Sequence, residues 1–169
     1  SKVAKLGQVI YLGKLGTMKD KTERLEKIAD IFCKLSGNES SKNDLKCAAH
    51  LCKADLLTHL VYEMPELQGT IGGKYAFRSG EKPEVADAIA EQYLPKNLSE
   101  DSQSLKKQIS LLGAMLGIID RMDLLVGAVG SGAARNGRGG GCGPCCAQAS
   151  NDSWRGPLAG RGGADLGTD

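Results

Sequence analysis

Aromatic residues are scarce, 4% of 169 residues, and histidine occurs only twice. Charge of one sign is lacking too: 22 Lys and Arg stand against 20 Asp and Glu, a formal charge of +2. That balance excludes a whole-chain polycation of the kind that coats nucleic acid or anionic lipid. No run approaches the ~18 uninterrupted apolar residues that a membrane helix needs. Residues 1–5, SKVAK, have neither the apolar block nor the small-residue cleavage site of a secretion signal. A cytoplasmic chain without membrane contact is therefore expected, or an organellar one in a plant or alga. The first residue is not Met, and the chain reads as a fragment of a longer product. What is present, 41% hydrophobic and 25% charged residues, suits one soluble domain with a sizeable core.

The composition changes near Val129. Before Gly130 the basic residues are 15 Lys and 3 Arg with 11 Gly; from there to Asp169 there are 4 Arg (Arg135, Arg138, Arg155 and Arg161), 12 Gly and no Lys. Residues 137–143 read GRGGGCG and almost no apolar periodicity follows, so little offsets an ordering cost of roughly 1–2 kcal/mol per residue. Residues 130–169 are expected to be a disordered Gly/Arg-rich tail. A Lys-to-Arg switch with Gly and Ala enrichment is what a GC-rich coding sequence gives in a shifted reading frame, so the chain beyond about Gly132 is expected to be foreign to what precedes it.

Ahead of the join the pattern is helical, and the expected fold class is all-α, a helical bundle. Leu25, Ile28, Ala29, Ile31, Phe32 and Leu35 recur at three- and four-residue steps, predicting a helix over 20–35 stopped at Gly37. A long core helix is predicted over 43–63, with Leu45, Ala48, Ala49, Cys52, Leu56, Leu60 and Val61 inward and Pro65 beyond its end. Gly69, Gly72 and Gly73 indicate a short helix or turn over 66–75 where two backbones approach closely. Pro83 opens a third helix carrying Val85, Ala86, Ile89 and Tyr93. The last, over 104–126, is nearly all apolar from Leu111 to Ile119 and is expected to be buried. A strand is expected only at 9–12.

The chemistry-bearing motifs mostly dissolve on inspection. Cys142-Gly-Pro-Cys145 has the spacing of thioredoxin-like oxidoreductases, but that chemistry needs a strand before the first Cys and a helix after it, and here a Gly run precedes it and Cys146 follows. The same three thiols lack a fourth zinc ligand nearby. Cys33, Cys47 and Cys52 fall at core-type positions and are expected to be reduced and buried. His50 and His59, nine apart on the expected long helix, would lie on opposite faces, so no metal site is expected. An HD-type phosphohydrolase would need an adjacent His-Asp pair, which the chain lacks. Asp120 and Asp123 share a helix face, but nothing completes an acid/base site around them. Gly69-x-x-Gly72-Gly73-Lys74 lacks the spacing of a triphosphate loop. A scattered basic set, Lys53, Lys74, Arg78, Lys82 and Lys96, could meet RNA phosphates or simply face solvent.

Residues 53–69, KADLLTHLVYEMPELQG, followed by Tyr75-Ala76, Gly80-Glu81, Val85-Ala86 and Glu91-Gln-Tyr-Leu-Pro95, resemble the β subunit of bacterial-type glycyl-tRNA synthetase. The family pattern there is close to KADLxTxMVxEFPELQGxMGxxYA, then GE, VAxAIxExYxP, with Met64 here in place of Phe. Upstream, Leu15 to Lys21 and Arg24 resemble its KLGxxxDKxxR segment; downstream, Asp120 to Gly127 is similar to its ADKxDTLxGxF helix. The likeness covers about 12–132, a fraction of a β subunit. It implies a lead-in at 1–16 from a missing upstream region and a degenerate HD-like helical region over 17–129. It implies an α₂β₂ assembly in which ATP, Mg and the catalytic centre belong to the α subunit, while β engages tRNA(Gly). No catalytic residue and no cofactor is then expected on this chain. Lys53, Lys74 and Arg78 are the candidate tRNA-phosphate contacts. Asp20, Lys21, Asp55, Glu63, Asp120 and Asp123 are expected to hold helices together through buried or half-buried pairs and caps. Past Val129 the family's next helix is missing, which is expected to leave the last helix with an uncovered apolar face.

Overall fold

A computed structural model of the chain describes residues 2–11, 15–95 and 108–130. Among the described residues the fold is all-α, with seven α-helices: α1 (Lys2–Lys5), α2 (Met18–Leu35), α3 (Lys42–Leu51), α4 (His59–Glu63), α5 (Thr70–Arg78), α6 (Pro83–Glu91) and α7 (Leu111–Gly130). The tail cysteines Cys142, Cys145 and Cys146, the Gly/Arg-rich stretch and Lys96 lie outside the described residues. The strand expected at 9–12 reduces to one antiparallel bridge between Ile10 and Thr17, flanked by Tyr11 N–H to Gly16 O at 2.7 Å and Met18 N–H to Val9 O at 2.8 Å.

The helix α2 starts at a reciprocal cap. Asp20 N–H donates to Thr17 Oγ1 at 3.2 Å, and Thr17 N–H donates to Asp20 Oδ2 at 2.7 Å, which satisfies two of the free amides of a helix start. It ends at Gly37, whose φ of +71° is left-handed and favours glycine. Leu25, Ala29 and Cys33 point into the core, whereas Ile31 and Leu35, which periodicity had also nominated, stand 59% and 83% exposed.

The long helix expected over 43–63 is interrupted. α3 stops at Leu51, a 3₁₀ turn occupies Ala54–Leu57, and α4 restarts at His59. The cause is two charged side chains, Lys53 and Asp55, that this stretch must carry to the interior. Thr58 makes the restart: its hydroxyl donates to Asp55 O at 2.6 Å and accepts Val61 N–H at 3.3 Å, an N-cap. Leu45, Ala48, Ala49, Cys52 and Val61 are buried as expected, but Leu60 faces outward.

The glycine-rich stretch forms α5, whose Gly73 lies so close to α6 that a Cβ there would sit 2.5 Å from Ala86 O. Close backbone approach is thus the role of that glycine. Pro83 opens α6 at its first turn. The core joins Leu25 and Ala29 of α2, Leu45 and Ala48 of α3, Val85 and Ile89 of α6, and Leu112, Leu116 and Ile119 of α7. The last helix is buried on one side only. Leu111, Ile118, Met122, Leu125, Val126 and Val129 are between 45% and 71% exposed, while Asp120 and Asp123 of the same helix turn inward.

Candidate functional site

Where α2, the 53–55 turn, the end of α6 and α7 meet, the interior is charged. Lys21 and Arg24 on α2 and Asp120 and Asp123 on α7 are each three residues apart, a spacing that puts both members of a pair on one helix face. Arg24 grips Asp123 with two nitrogens, Nε to Oδ1 at 2.7 Å and Nη2 to Oδ2 at 3.3 Å. Lys21 Nζ reaches Asp123 Oδ2 at 3.1 Å and Tyr11 Oη at 3.2 Å, and it lies 3.0 Å from Asp120 Oδ1 as an ionic contact without a directed hydrogen bond. Lys53 Nζ meets the other oxygen, Asp120 Oδ2, at 3.0 Å, and also donates to Gln92 Oε1 at 2.9 Å and Tyr93 Oη at 2.8 Å. Gln92 is fixed in turn, its amide donating to Cys52 O at 3.2 Å and Ile89 O at 2.9 Å.

Burial alone would raise the Asp120 carboxyl, but the ammoniums of Lys53 and Lys21 outweigh it and hold the pKa down at about 2. Asp123 is lowered against its own burial by Arg24 and Lys21. For Lys21, burial works against the charge, yet Asp120 and the neighbouring groups leave its pKa raised. These shifts keep Asp120, Asp123 and Lys21 in their charged forms near neutrality. The cluster's physical role is to tie four segments together: a buried charge with its partner removed costs about 3–5 kcal/mol.

Asp55 sits beside this cluster. Its Oδ2 accepts Gly69 N–H at 2.7 Å and fixes the turn into α5. Gly69 has φ +80°, and a Cβ there would lie 2.8 Å from the Tyr93 ring, so glycine is required on two counts. Asp55 Oδ1 is buried without a hydrogen-bond partner among the described residues, and burial raises its pKa.

The expected site residues therefore separate. Asp20 is a cap, Asp55 ties a turn, and Lys21, Asp120 and Asp123 are interhelical pairs. Glu63 does not belong with them: it is exposed, and its contact is His59 one turn earlier at 3.8 Å. Lys53 is the larger correction, because it is fully buried on Asp120, Gln92 and Tyr93 and has no surface to offer a phosphate. Lys74 and Arg78 lie exposed on α5 with no ion pair among the described residues. Arg24, Tyr11, Gln92, Tyr93 and Gln68, whose amide donates to Tyr93 Oη at 2.7 Å, were not anticipated. The matched three-residue spacing of Lys21/Arg24 and Asp120/Asp123 was a usable signal for the first, and membership of the Glu91-Gln-Tyr-Leu-Pro95 motif for Gln92 and Tyr93.

His50 and His59 sit on separate helices, the first 2.7 Å from Glu26, and among the described residues no group of three His, Cys, Asp or Glu side chains is placed to hold a metal. Cys33 and Cys52 are buried, and Cys47 is partly buried, donating to Glu81 at 3.2 Å. Burial pushes the Cys52 thiol up to about 12, and burial with Glu81 pushes Cys47 to about 11, so both stay protonated and unreactive.

Fold and site together define a helical scaffold whose interior charges pair across helices. The family model described as Glycyl-tRNA synthetase beta subunit matches residues 1–139. The chain is 42% identical over 133 residues to the glycine–tRNA ligase beta subunit of Desulforamulus reducens, covering 78% of this chain and 18% of that protein. It is 43% identical over 128 residues to that of Picosynechococcus sp., covering 75% and 17%. With the Thermotoga petrophila subunit the figures are 42% over 124 residues, 73% and 17%. The chain belongs to the glycyl-tRNA synthetase beta subunit family and spans about a fifth of the length of the curated relatives it matches. The family match ends at residue 139, within the stretch that composition sets apart from Gly130 onward.

Proposed function

We propose that this chain is a portion of the β subunit of a glycine–tRNA ligase that contributes to tRNA(Gly) recognition and subunit assembly, while glycine activation with ATP and Mg occurs on an α subunit of an α₂β₂ cytoplasmic enzyme. The observation that carries this reading is the family match, joined to a charged centre that internal pairing consumes. A scaffold of this kind works by geometry: the cluster sets the angle between α2 and α7 and the turn before α5, and α5 presents Lys74 and Arg78 outward. Phosphate contacts then supply affinity and register, and they weaken as salt rises because each contact releases counterions.

A purely structural module is the second reading, favoured by the apolar outer face of α7, which suits a packed partner helix. Filter binding of tRNA(Gly) to the 169-residue chain over a salt series separates the two. The tRNA role requires log affinity to fall linearly with log salt, and Lys74→Gln with Arg78→Gln to flatten the slope by about one per cation. A folded chain with no salt-dependent tRNA binding would leave only the structural module. Divalent-dependent phosphate release would instead revive the HD-type hydrolase.

A further inference from the structure

The chain has two phenylalanines. Phe32 packs against the core, but Phe77 is 60% exposed, on the outer side of α5. Burying such a ring is ordinarily favourable by about 1.5–3 kcal/mol, so Phe77 offers a flat apolar face that a ligand could cover. Its neighbours give the ligand's character. Lys74 precedes Phe77 by three residues and Arg78 follows it directly, so at 3.6 residues per turn the three side chains share an arc of about 100°. The sequence of α5, TIGGKYAFR, contains no carboxylate, and neither cation is paired among the described residues. By contrast, nearby Lys82 is taken up by Asp44 at 2.8 Å, and Lys42 and Lys46 share Asp30.

The opposite side of α5 is pinned. Gly72 and Gly73 press against Asp55 and α6, and Gly69 N–H is held by Asp55, so the outer face is a fixed platform rather than a loose segment. A flat ring on a rigid helix, flanked by two long cationic arms, matches how unpaired nucleotides are held: bases stack on aromatic faces while Lys and Arg take the phosphates. Side chains one turn apart stand about 5–6 Å apart at Cβ, which lets both cations reach along one strand. A protein partner would also use Phe and Arg, but two cations without an ion pair among the described residues favour an anion.

We propose that the outer face of α5 is a stacking site for an unpaired RNA nucleotide, with the base on Phe77 and the flanking phosphates on Lys74 and Arg78. The proposal rests on the tRNA-binding reading and specifies which part of the RNA this surface takes. It is tested by fluorescence anisotropy on the 169-residue chain with two RNAs, a blunt duplex and the same duplex with a short single-stranded 3′ extension, each over a salt series. The wild type is expected to prefer the extended RNA about tenfold. Phe77→Ala removes that preference with the salt slope unchanged, and Phe77→Trp keeps or increases it. Lys74→Gln with Arg78→Gln weakens both RNAs and flattens both slopes. Equal affinity for the two RNAs, or a Phe77→Ala chain that keeps the preference, overturns the stacking site while salt-dependent tRNA binding still stands. A chain that binds neither RNA overturns the tRNA-binding reading as well. Phe77→Ala altering self-association in sedimentation, with RNA preference intact, marks a protein contact and overturns the proposal.

Discussion

Lys53 and Lys74 are the same residue type, the first just ahead of the Ala54–Leu57 turn and the second in the middle of α5, yet one is wholly buried and the other lies in solvent. The inner cations, Lys21, Lys53 and the half-exposed Arg24, are spent on Asp120 and Asp123. The outer pair, Lys74 and Arg78, meets no carboxylate among the described residues. The difference teaches that a lysine's value for an external partner is set by what faces it inside the fold. An ammonium in the interior is costly unless opposed, so Lys53 is held with an opposing carboxylate and a ring of acceptors. An ammonium on the surface costs little and stays available.

The inner set breaks most completely through its hub. Asp120→Ala removes the carboxylate that Lys21 and Lys53 share, with Lys21 still on Asp123, and should cost about 3–5 kcal/mol in urea unfolding; a change below about 1 kcal/mol would mean the cluster is not a structural tie. Next comes the platform that carries the outer set. Gly73→Ala drives a methyl against Ala86 O, with an expected loss of about 1–3 kcal/mol in the same assay and a weaker preference for single-stranded RNA. Full stability and unaltered binding would show that α5 does not need its close seat on α6.

Acid separates the two sets without mutation. Asp120 has its folded pKa at about 2 against an ordinary 3.8, so the unfolded chain takes up the proton first as pH falls. The stability it lends is full above that ordinary value and is lost as pH falls toward 2. Asp55 acts oppositely, since its raised pKa makes the folded state bind a proton more readily and lose stability as pH rises through that value. Melting temperatures should fall steeply below pH 4, and Asp55→Asn should abolish the gain in stability that Asp55 gives as pH falls toward 4 from above. A wild-type melting curve flat in acid would contradict the pairing of Asp120. The smallest effect on folding is expected on the outer face of α7: Leu125→Glu with Val126→Glu should change stability by about 0.5 kcal/mol or less in urea unfolding, because both side chains are exposed, at 59% and 71%.

Much of this architecture was legible in the order of residues. The apolar steps from Leu25 to Cys33, the Pro83 start and the close approach at Gly73 all follow local rules that the fold obeys. What was not legible depended on partners distant in sequence. Hydropathy placed residues 43–63 on one helix because it could not register that Lys53 would be drawn to Asp120, 67 residues away. It likewise buried α7 too evenly: the C-terminal half of that helix is inverted, with Asp120 and Asp123 inward and Leu125, Val126 and Val129 outward. The same blind spot assigned Lys53 to phosphate. Glu63 was misplaced for a simpler reason, since it sits in the last turn of a helix too short to carry it toward a neighbour.

The claim that interior cations hold the fold while exterior cations meet RNA is tested most directly by measuring, on the same preparations, the melting temperature and the salt slope of tRNA(Gly) binding for Lys53→Met and for Lys74→Gln/Arg78→Gln. The account predicts that Lys53→Met lowers the melting temperature and leaves the slope of the folded chain unchanged, and that the double variant flattens the slope by about two with no change in melting. The reverse pattern, a flattened slope from Lys53→Met or an unchanged slope from the double variant, would contradict it.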